Sequence, residues 1–366
     1  MSQTEQSAAM PAGARDRRAG ILRLPVVLLG ILVGCMVLAS APAFAGQARL
    51  LSGVFGAATS APADPYPLAN AEGVAVDLET HDVYVADSED HRMEKFDSAG
   101  HFILMFGKDV DRTTGANVCT AVSGDVCQAG IADSSAGSFE RSPRFIAVDN
   151  SRVLGEQGDV YVADQQAEVV SKFDSEGNLI SSWGDNGEGH TKDGPANGQL
   201  NGANATGALA GPFGQIHGMA VDPSGNLWVN SNGAMFEFRQ NSSFITAWKS
   251  EEAVFGGIAI DGEGNLYVGQ FAEKFKPEGT DLGGVAEFDF LRNLTVDPSS
   301  NELYAGGAEH SGNPNLGNYI PLIYRYDSSC HPSNVRPRIF CVPVEVFGAN
   351  NIHAGSEITG LAVDPF

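Results

Sequence analysis

Basic residues are scarce in this chain: 22 Lys and Arg stand against 45 Asp and Glu, for a formal charge of −23. Outside the first 25 residues they form no patch. A nucleic-acid partner is thereby excluded, because phosphate contacts need clustered Lys and Arg. Long helical periods are missing as well. Gly is abundant instead, at 44 residues, and Pro stands at 18, a mixture that favours many short strands joined by turns. Charged residues make up only 18% against 43% hydrophobic, so there is apolar surface enough for a core. The common enzyme signatures are absent: no G-x-S-x-G elbow, no H-E-x-x-H pair, no phosphate-binding glycine loop. The eight histidines are scattered, and none forms a nucleophile pair. "DNGEGHTKDG" at Asp185 has the acidity of a calcium loop but neither its D-x-D-x-D-G spacing nor its terminal glutamate.

One long apolar run occurs, Leu24 to Leu38. Arg15, Arg17, Arg18 and Arg23 flank it on one side and Ala43-Phe44-Ala45, an A-x-A cleavage site, on the other. Residues 1–45 therefore read as a signal peptide, and 46–366 as a mature domain that is secreted or held in the cell envelope. Cleavage removes four basic and two acidic residues and leaves the remainder more acidic. Three competing readings stay open. "LVGC" (Leu32 to Cys35) resembles a lipoprotein cleavage box, Arg17-Arg18 fits a twin-arginine signal, and the run could stay uncleaved as an anchor. A membrane partner follows only from an uncleaved signal or a lipid anchor.

Five cysteines are present, and Cys35 belongs to the leader. The others fall as two close pairs, Cys119 with Cys127 and Cys330 with Cys341. Four cysteines permit three pairings, of which the nearest-neighbour one is expected in an oxidising compartment. A zinc site competes with it, but the spacings do not match the usual two-to-four-residue knuckles.

A phrase recurs along the chain: "GVAVD" at Gly73, "FIAVD" at Phe145, "GMAVD" at Gly218, "GIAID" at Gly257, "NLTVD" at Asn293 and "GLAVD" at Gly360. Its aspartates are spaced 72, 73, 39, 36 and 67 residues apart, which is a period near 40 with three insertions. Strand-rich repeats of that size build propellers. Each unit reads as a four-stranded antiparallel sheet. A small apolar strand comes first, then a turn such as "DPSGN" or "DGEGN", in which Asp bonds nearby amides and Pro and Gly set the dihedrals. The second strand is β-branched and aromatic ("DVYVAD", "NLWVNS", "NLYVGQ"). The third alternates ("RMEKFD", "VVSKFD"), and the fourth ends in an aromatic ("FILMFG", "LISSWG", "FITAWK").

The order G-I-A-V-D, L-Y-V-A-D, R-I-x-x-F-D and then a terminal [FW]-G resembles NHL-repeat β-propellers, from Gly46 to the end apart from the insertions. The expected fold is all-β, a six-bladed propeller with blades at about 73–107, 144–184, 217–249, 257–290, 293–348 and 359–366. Insertions are placed at 108–143, 185–216 and 306–319. The last blade holds only its inner strand, "GLAVDPF". "QARLLSGVFG" at 47–56 ends like a fourth strand and would close the ring from outside. Its competing reading is plain packing on a rim. The two middle strands of that blade are expected in a longer natural product, so that the chain is the first part of a larger surface protein.

All three insertions fall on one face, where first strands begin and second strands end. Residues there include Glu72, Arg144, His217 and Asn293 from starts and Asp87, Asp164 and Asn230 from ends. The resemblance brings in lactonases and amidating lyases, which place metal ligands around such a mouth. In that case Glu72, His217, Asp164 and Asn230 would hold calcium or zinc. Against it, Asp87 and Asp164 belong to the ordinary "VAD" repeat, where Asp caps a turn, and no H-x-H pair occurs. The leading expectation is a non-catalytic module without a cofactor, binding a protein or glycan through its loop-bearing face.

Overall fold

In the computed structural model, residues 55–56, 65–153, 157–184, 215–231, 233–250, 256–286, 290–310, 319–330, 340–347 and 358–365 are described, all within Gly46–Phe366. Five antiparallel sheets follow one another in chain order. Blade I holds β1 (Ala71–Val76), β2 (Val83–Asp87), β3 (Arg92–Phe96), β4 (Phe102–Phe106) and a fifth strand, β5 (Val118–Thr120). Blade II holds β6 (Pro143–Val148), β7 (Val160–Asp164), β8 (Val169–Phe173) and β9 (Leu179–Gly184). Blade III is β10 (Ile216–Val221), β11 (Leu227–Ser231), β12 (Ala234–Phe238) and β13 (Phe244–Lys249). Blade IV is β14 (Ile258–Ile260), β15 (Leu266–Val268), β16 (Glu273–Phe275) and β17 (Asp281–Gly284). Blade V is β18 (Phe290–Val296), β19 (Leu303–His310), β20 (Tyr319–Tyr326) and β21 (Glu345–Phe347).

The turns form for the reason the sequence suggests. Asp222 Oδ1 accepts the amides of Ser224 and Asn226, Asp261 Oδ1 those of Glu263 and Asn265, and Asp297 Oδ1 that of Ser299. A short carboxylate thus satisfies amides that the reversal of the chain leaves unpaired. Between blades, apolar clusters fill the seams. Tyr84, Phe106, Ile146 and Phe173 join blades I and II, and Ala147, Trp183, Met219 and Phe238 join blades II and III. The glycine that opens the repeated phrase permits close contact. A Cβ on Gly73 would fall 2.1 Å from the Arg144 carbonyl oxygen of blade II, and one on Gly218 2.8 Å from the Ile258 nitrogen of blade IV. No side chain fits there.

Where the sequence predicts six blades, the described residues form five sheets and one further inner segment. Ile358–Pro365 takes the sixth place around the axis, and among the described residues no strand pairs with it. Side chains bond it on both flanks: Asn293 Nδ2 donates to the Ile358 carbonyl at 2.8 Å, and Thr359 Oγ1 to the Ala71 carbonyl at 2.9 Å. A Cβ on Gly360 would lie 2.9 Å from the Val74 nitrogen, as Gly73 and Gly218 lie against their own neighbours.

The outer position of that sixth place is marked too. Outer-strand aromatics pack on the third-strand Phe of the following blade: Phe106 on Phe173 at 4.7 Å, Trp183 on Phe238 at 6.5 Å, Trp248 on Phe275 at 4.9 Å. Phe55 packs on Phe96 of blade I at 5.0 Å in the same way. It also lies under the Gly100 turn, as Phe106 lies under Gly177 and Trp248 under Gly279. Of the expected closing strand only Phe55 and Gly56 are described, and they lie at this outer position without forming a strand; 47–54 lie outside the described residues.

The expected insertions are built differently from one another. The first is folded onto blade I, where β5 pairs with β4 and Asp111 bridges Cys127. The third is partly strand, since β19 runs on to His310 and β20 begins at Tyr319. Of the second, 185–216, residues 185–214 lie outside the described residues, and Ile216 already opens β10. Disulfides join Cys119 to Cys127 and Cys330 to Cys341, the nearest-neighbour pairing. Such bonds belong to an oxidising environment.

Candidate functional site at the channel mouth

The inner segments line a channel. Its larger section, a cavity of about 200 Å³, opens on the side of the Asp turns beside Leu78, Asn150 and Pro298. A smaller one of about 50 Å³ lies toward the strand starts. Between them stand Val74, Ile146, Met219, Ile258, Leu294 and Leu361, one from each inner segment, each bordering both sections. The channel therefore narrows at an apolar waist, and Leu361 of the sixth segment supplies one sixth of it.

The mouth on the insertion side is shaped by bulges. In four sheets the pairing of first and second strands slips by one residue: between Ala71 and Gly73, Pro143 and Phe145, Ile216 and Gly218, and Leu291 and Asn293. The skipped residues are Glu72, Arg144, His217 and Arg292. An unpaired bulge residue is re-aimed relative to the strand, and bulges recur beside functional sites. Arg292, not Asn293, is thus the register equivalent of Glu72 and His217.

Glu72 and Arg144 meet across the seam of blades I and II, with Oε2 and Nε 3.3 Å apart. Arg144 also donates to Gln165 Oε1 at 3.0 Å, and its guanidinium lies 5.8 Å from the centre of the Phe145 ring. The polar side chains lining the small cavity are Arg144 and Asn293. The mouth therefore presents a guanidinium, which sequence reasoning named among the mouth residues but did not weigh. The signal was available: a positive residue at the place where blade I has Glu72.

The other expected ligands have structural partners. Asp164 Oδ1 accepts the amides of Ser142 and Ala167, and Oδ2 accepts that of Arg141. Asp87 does the same for Ala69 and Asn70. Asn230 pairs with Gly218, whereas Asp164 pairs with Pro143, so Ser231 is the register equivalent of Asp164. With a side-chain period of two, Asn230 points to the opposite face of its sheet. It is fully buried, accepting the Gly233 amide and donating to the Gly256 carbonyl. Among the described residues no three His, Cys, Asp or Glu side chains are grouped as a metal would require.

On the opposite side, blades I, II and IV each carry a second polar cluster. Lys95 Nζ lies 2.9 Å from Asp82 and over the Tyr84 ring, and Lys172 lies 2.8 Å from Asp159 over Tyr161. Lys274 lies 3.1 Å from Asp261 over Tyr267. Burial pushes the Tyr84 hydroxyl up to about 12, so it stays protonated beside its lysine. These clusters join strands two and three of their blade, and in blades I and II they also tie it to the next: the Tyr84 hydroxyl and Lys95 Nζ donate to the Ser175 carbonyl, and Lys172 Nζ to that of Gln240.

Comparison with known proteins bears on the fold. Residues 68–96, from the entry to β1 through the end of β3, match the NHL repeat family model. No curated protein matches the chain. Among solved structures it is similar to hydrazine synthase of Kuenenia stuttgartiensis at 12% identity and a TM-score of 0.43. That match covers 72% of this chain and 64% of the other, less than two thirds of its length. A chain of a nidogen/laminin complex matches at 14% and 0.46, covering 81% and 86%. Virginiamycin B lyase from Staphylococcus aureus matches at 8% and 0.40, covering 72% of each. These resemblances carry no function across. With its repeated four-stranded blades and its ring of inner segments the chain is an all-β propeller, and within it residues 68–96 of blade I match the NHL repeat.

Proposed function

We propose that the domain is an exported binding module that recognises a protein or a glycan through the face bearing its long connections, without catalysing a reaction. The channel supports this reading most. Its waist is a collar of six apolar side chains, and the carboxylates nearest the mouth already hold backbone amides or Arg144. A hydrolytic metal would need neighbouring ligands with an open position. The first insertion supports the binding role. It is a folded element tied by Cys119–Cys127, and it leaves Val122 93% and Val126 51% exposed. Exposed apolar groups on a rigid loop suit recognition better than solvation. Export rests on the leader and on the two disulfides.

Two measurements test it on the purified chain. Metal analysis and a thermal scan with and without chelator should show no stoichiometric metal and no shift. A bound metal whose removal lowers the transition would overturn the proposal in favour of a metal-dependent hydrolase or lyase. Binding to isolated cell-wall glycan and to extracellular protein fractions should weaken at least about tenfold in a Val122→Asp, Val126→Asp variant, since buried apolar contacts dominate such interfaces.

A further inference from the structure

The larger section of the channel is a pocket on the side away from the insertions. It opens beside Leu78, Asn150 and Pro298, and at its inner end the channel narrows to the waist. At about 200 Å³ it exceeds the roughly 150 Å³ that suffices to hold benzene in an apolar cavity. Its lining is apolar except for Asn150 and Thr295, and it includes no Asp, Glu, Lys, Arg or His. The aspartates that follow the inner strands are engaged elsewhere: Asp77, Asp222, Asp261 and Asp297 hold the amides of their own turns. A charged ligand would lose its water here without gaining a counter-charge.

The wall also offers hydrogen bonds. In all five sheets the inner strand stands at one end, paired on one side. The Asp77 amide donates to the Asp82 carbonyl, Asp149 to Asp159, Asp222 to Asn226, Asp261 to Asn265 and Asp297 to Glu302. Along an antiparallel ladder such groups face the partner strand at every second residue. Residues one and three places before each aspartate therefore turn their N–H and C=O groups away from the second strand. In blade I these are Val76 and Val74, in blade II Val148 and Ile146, in blade V Val296 and Leu294, and all six line the pocket. Asn150 uses two of the carbonyls, its side chain that of Val76 and its amide that of Val148. The remaining groups set donors and acceptors side by side on an apolar wall.

We propose that this pocket binds a small neutral molecule with an apolar body and hydrogen-bonding groups on its edge, a heteroaromatic ring being the class that meets both demands. A purely apolar molecule would leave the backbone groups unpaired, and water alone would leave the valine and isoleucine side chains hydrated. The site is separate from the insertion face, because the waist stands between them.

The test titrates the purified chain with indole and follows the methyl resonances of its Val, Leu and Ile residues. Shifts should saturate with a Kd of about 1 mM or tighter, as expected of so small a ligand. They should centre on Val76, Val148, Val221 and Val296, which line the pocket. Indene has the same shape without the N–H and should bind about threefold more weakly or worse, the loss of one hydrogen bond. Leu78→Trp fills the open end from the half-buried rim and should weaken indole at least about tenfold, since two rings cannot share the space. Absence of saturable shifts, shifts centred elsewhere, or indene binding as tightly as indole overturns the proposal, and all three are read in the unaltered chain, whatever Leu78→Trp does to folding. Undiminished binding in Leu78→Trp overturns it as well.

Discussion

Blades III and IV share a turn and differ by one charge. In both, an aspartate accepts two turn amides on one oxygen, Asp222 from Ser224 and Asn226, Asp261 from Glu263 and Asn265. In blade IV the other oxygen faces Lys274, the Tyr267 hydroxyl and Asn265. In blade III the third strand carries Glu237 where β16 carries Lys274. Trp228 stands for the tyrosine, and Asn226 bridges, donating to Glu237 Oε1 at 3.0 Å. The ladder is the same in both sheets. What differs is how the aspartate is neutralised: by an ammonium in one, by indole and amide hydrogens in the other. Burial and Asp222 accordingly push the Glu237 carboxyl upward. Asp261 is held down despite its burial, by Asn265 and Lys274.

The comparison is broken most severely by Lys274→Glu. It sets two carboxylates side by side where Asp261 is only 4% exposed, and should cost about 3 kcal/mol or more, measured by denaturant unfolding. The reverse change, Glu237→Lys, gives blade III the brace of its neighbours and should stabilise by up to about 1 kcal/mol at pH 7, the range of a partly exposed pair. The smallest effect is the sharpest in sign. Glu237 holds its proton more tightly folded than unfolded, so its contribution is full below 4.5 and is lost as the pH rises through its elevated folded value. Asp261 runs the other way: its contribution is present above 3.8 and is lost as the pH falls through its depressed folded value. Between pH 6 and 4.5 the unaltered chain should therefore gain stability relative to Glu237→Gln. Thermal midpoints of the two proteins across that range check it, and parallel curves would refute it.

Much of the fold was legible because the repeat writes it many times. "VYVAD" and "KFD" fix strands two and three wherever they occur, and the Asp turns follow from residues whose side chains need no distant partner. The site was less legible. Position along the phrase aligns Asn293 with Gly73 and Ser231 with Asp87 and Asp164, so Asn293 and Asn230 stand one place away from the mouth residues Arg292 and Ser231; the slip between Pro143 and Phe145, repeated in three other blades, is what sets the residue before the phrase apart. A bulge is set by ladder pairing across two strands, so a single strand's sequence does not reveal it. Nor did any local signal announce β5, whose pairing with β4 is decided by how the Cys119–Cys127 loop lies against blade I.

The glycine that begins "GLAVDPF" also has a geometric consequence. Sheets arranged about an axis behave as wedges, and the number that completes a circle depends on how steeply each leans on the next. At Gly73, Gly218 and Gly360 the neighbouring backbone comes closer than any Cβ allows. These three hinges are therefore the narrow ends of their wedges. A methyl group at one of them would open its wedge at the axis and enlarge the circumference, pulling the six collar residues apart. The smallest side chain in the repeat thus gauges the bore of the whole ring.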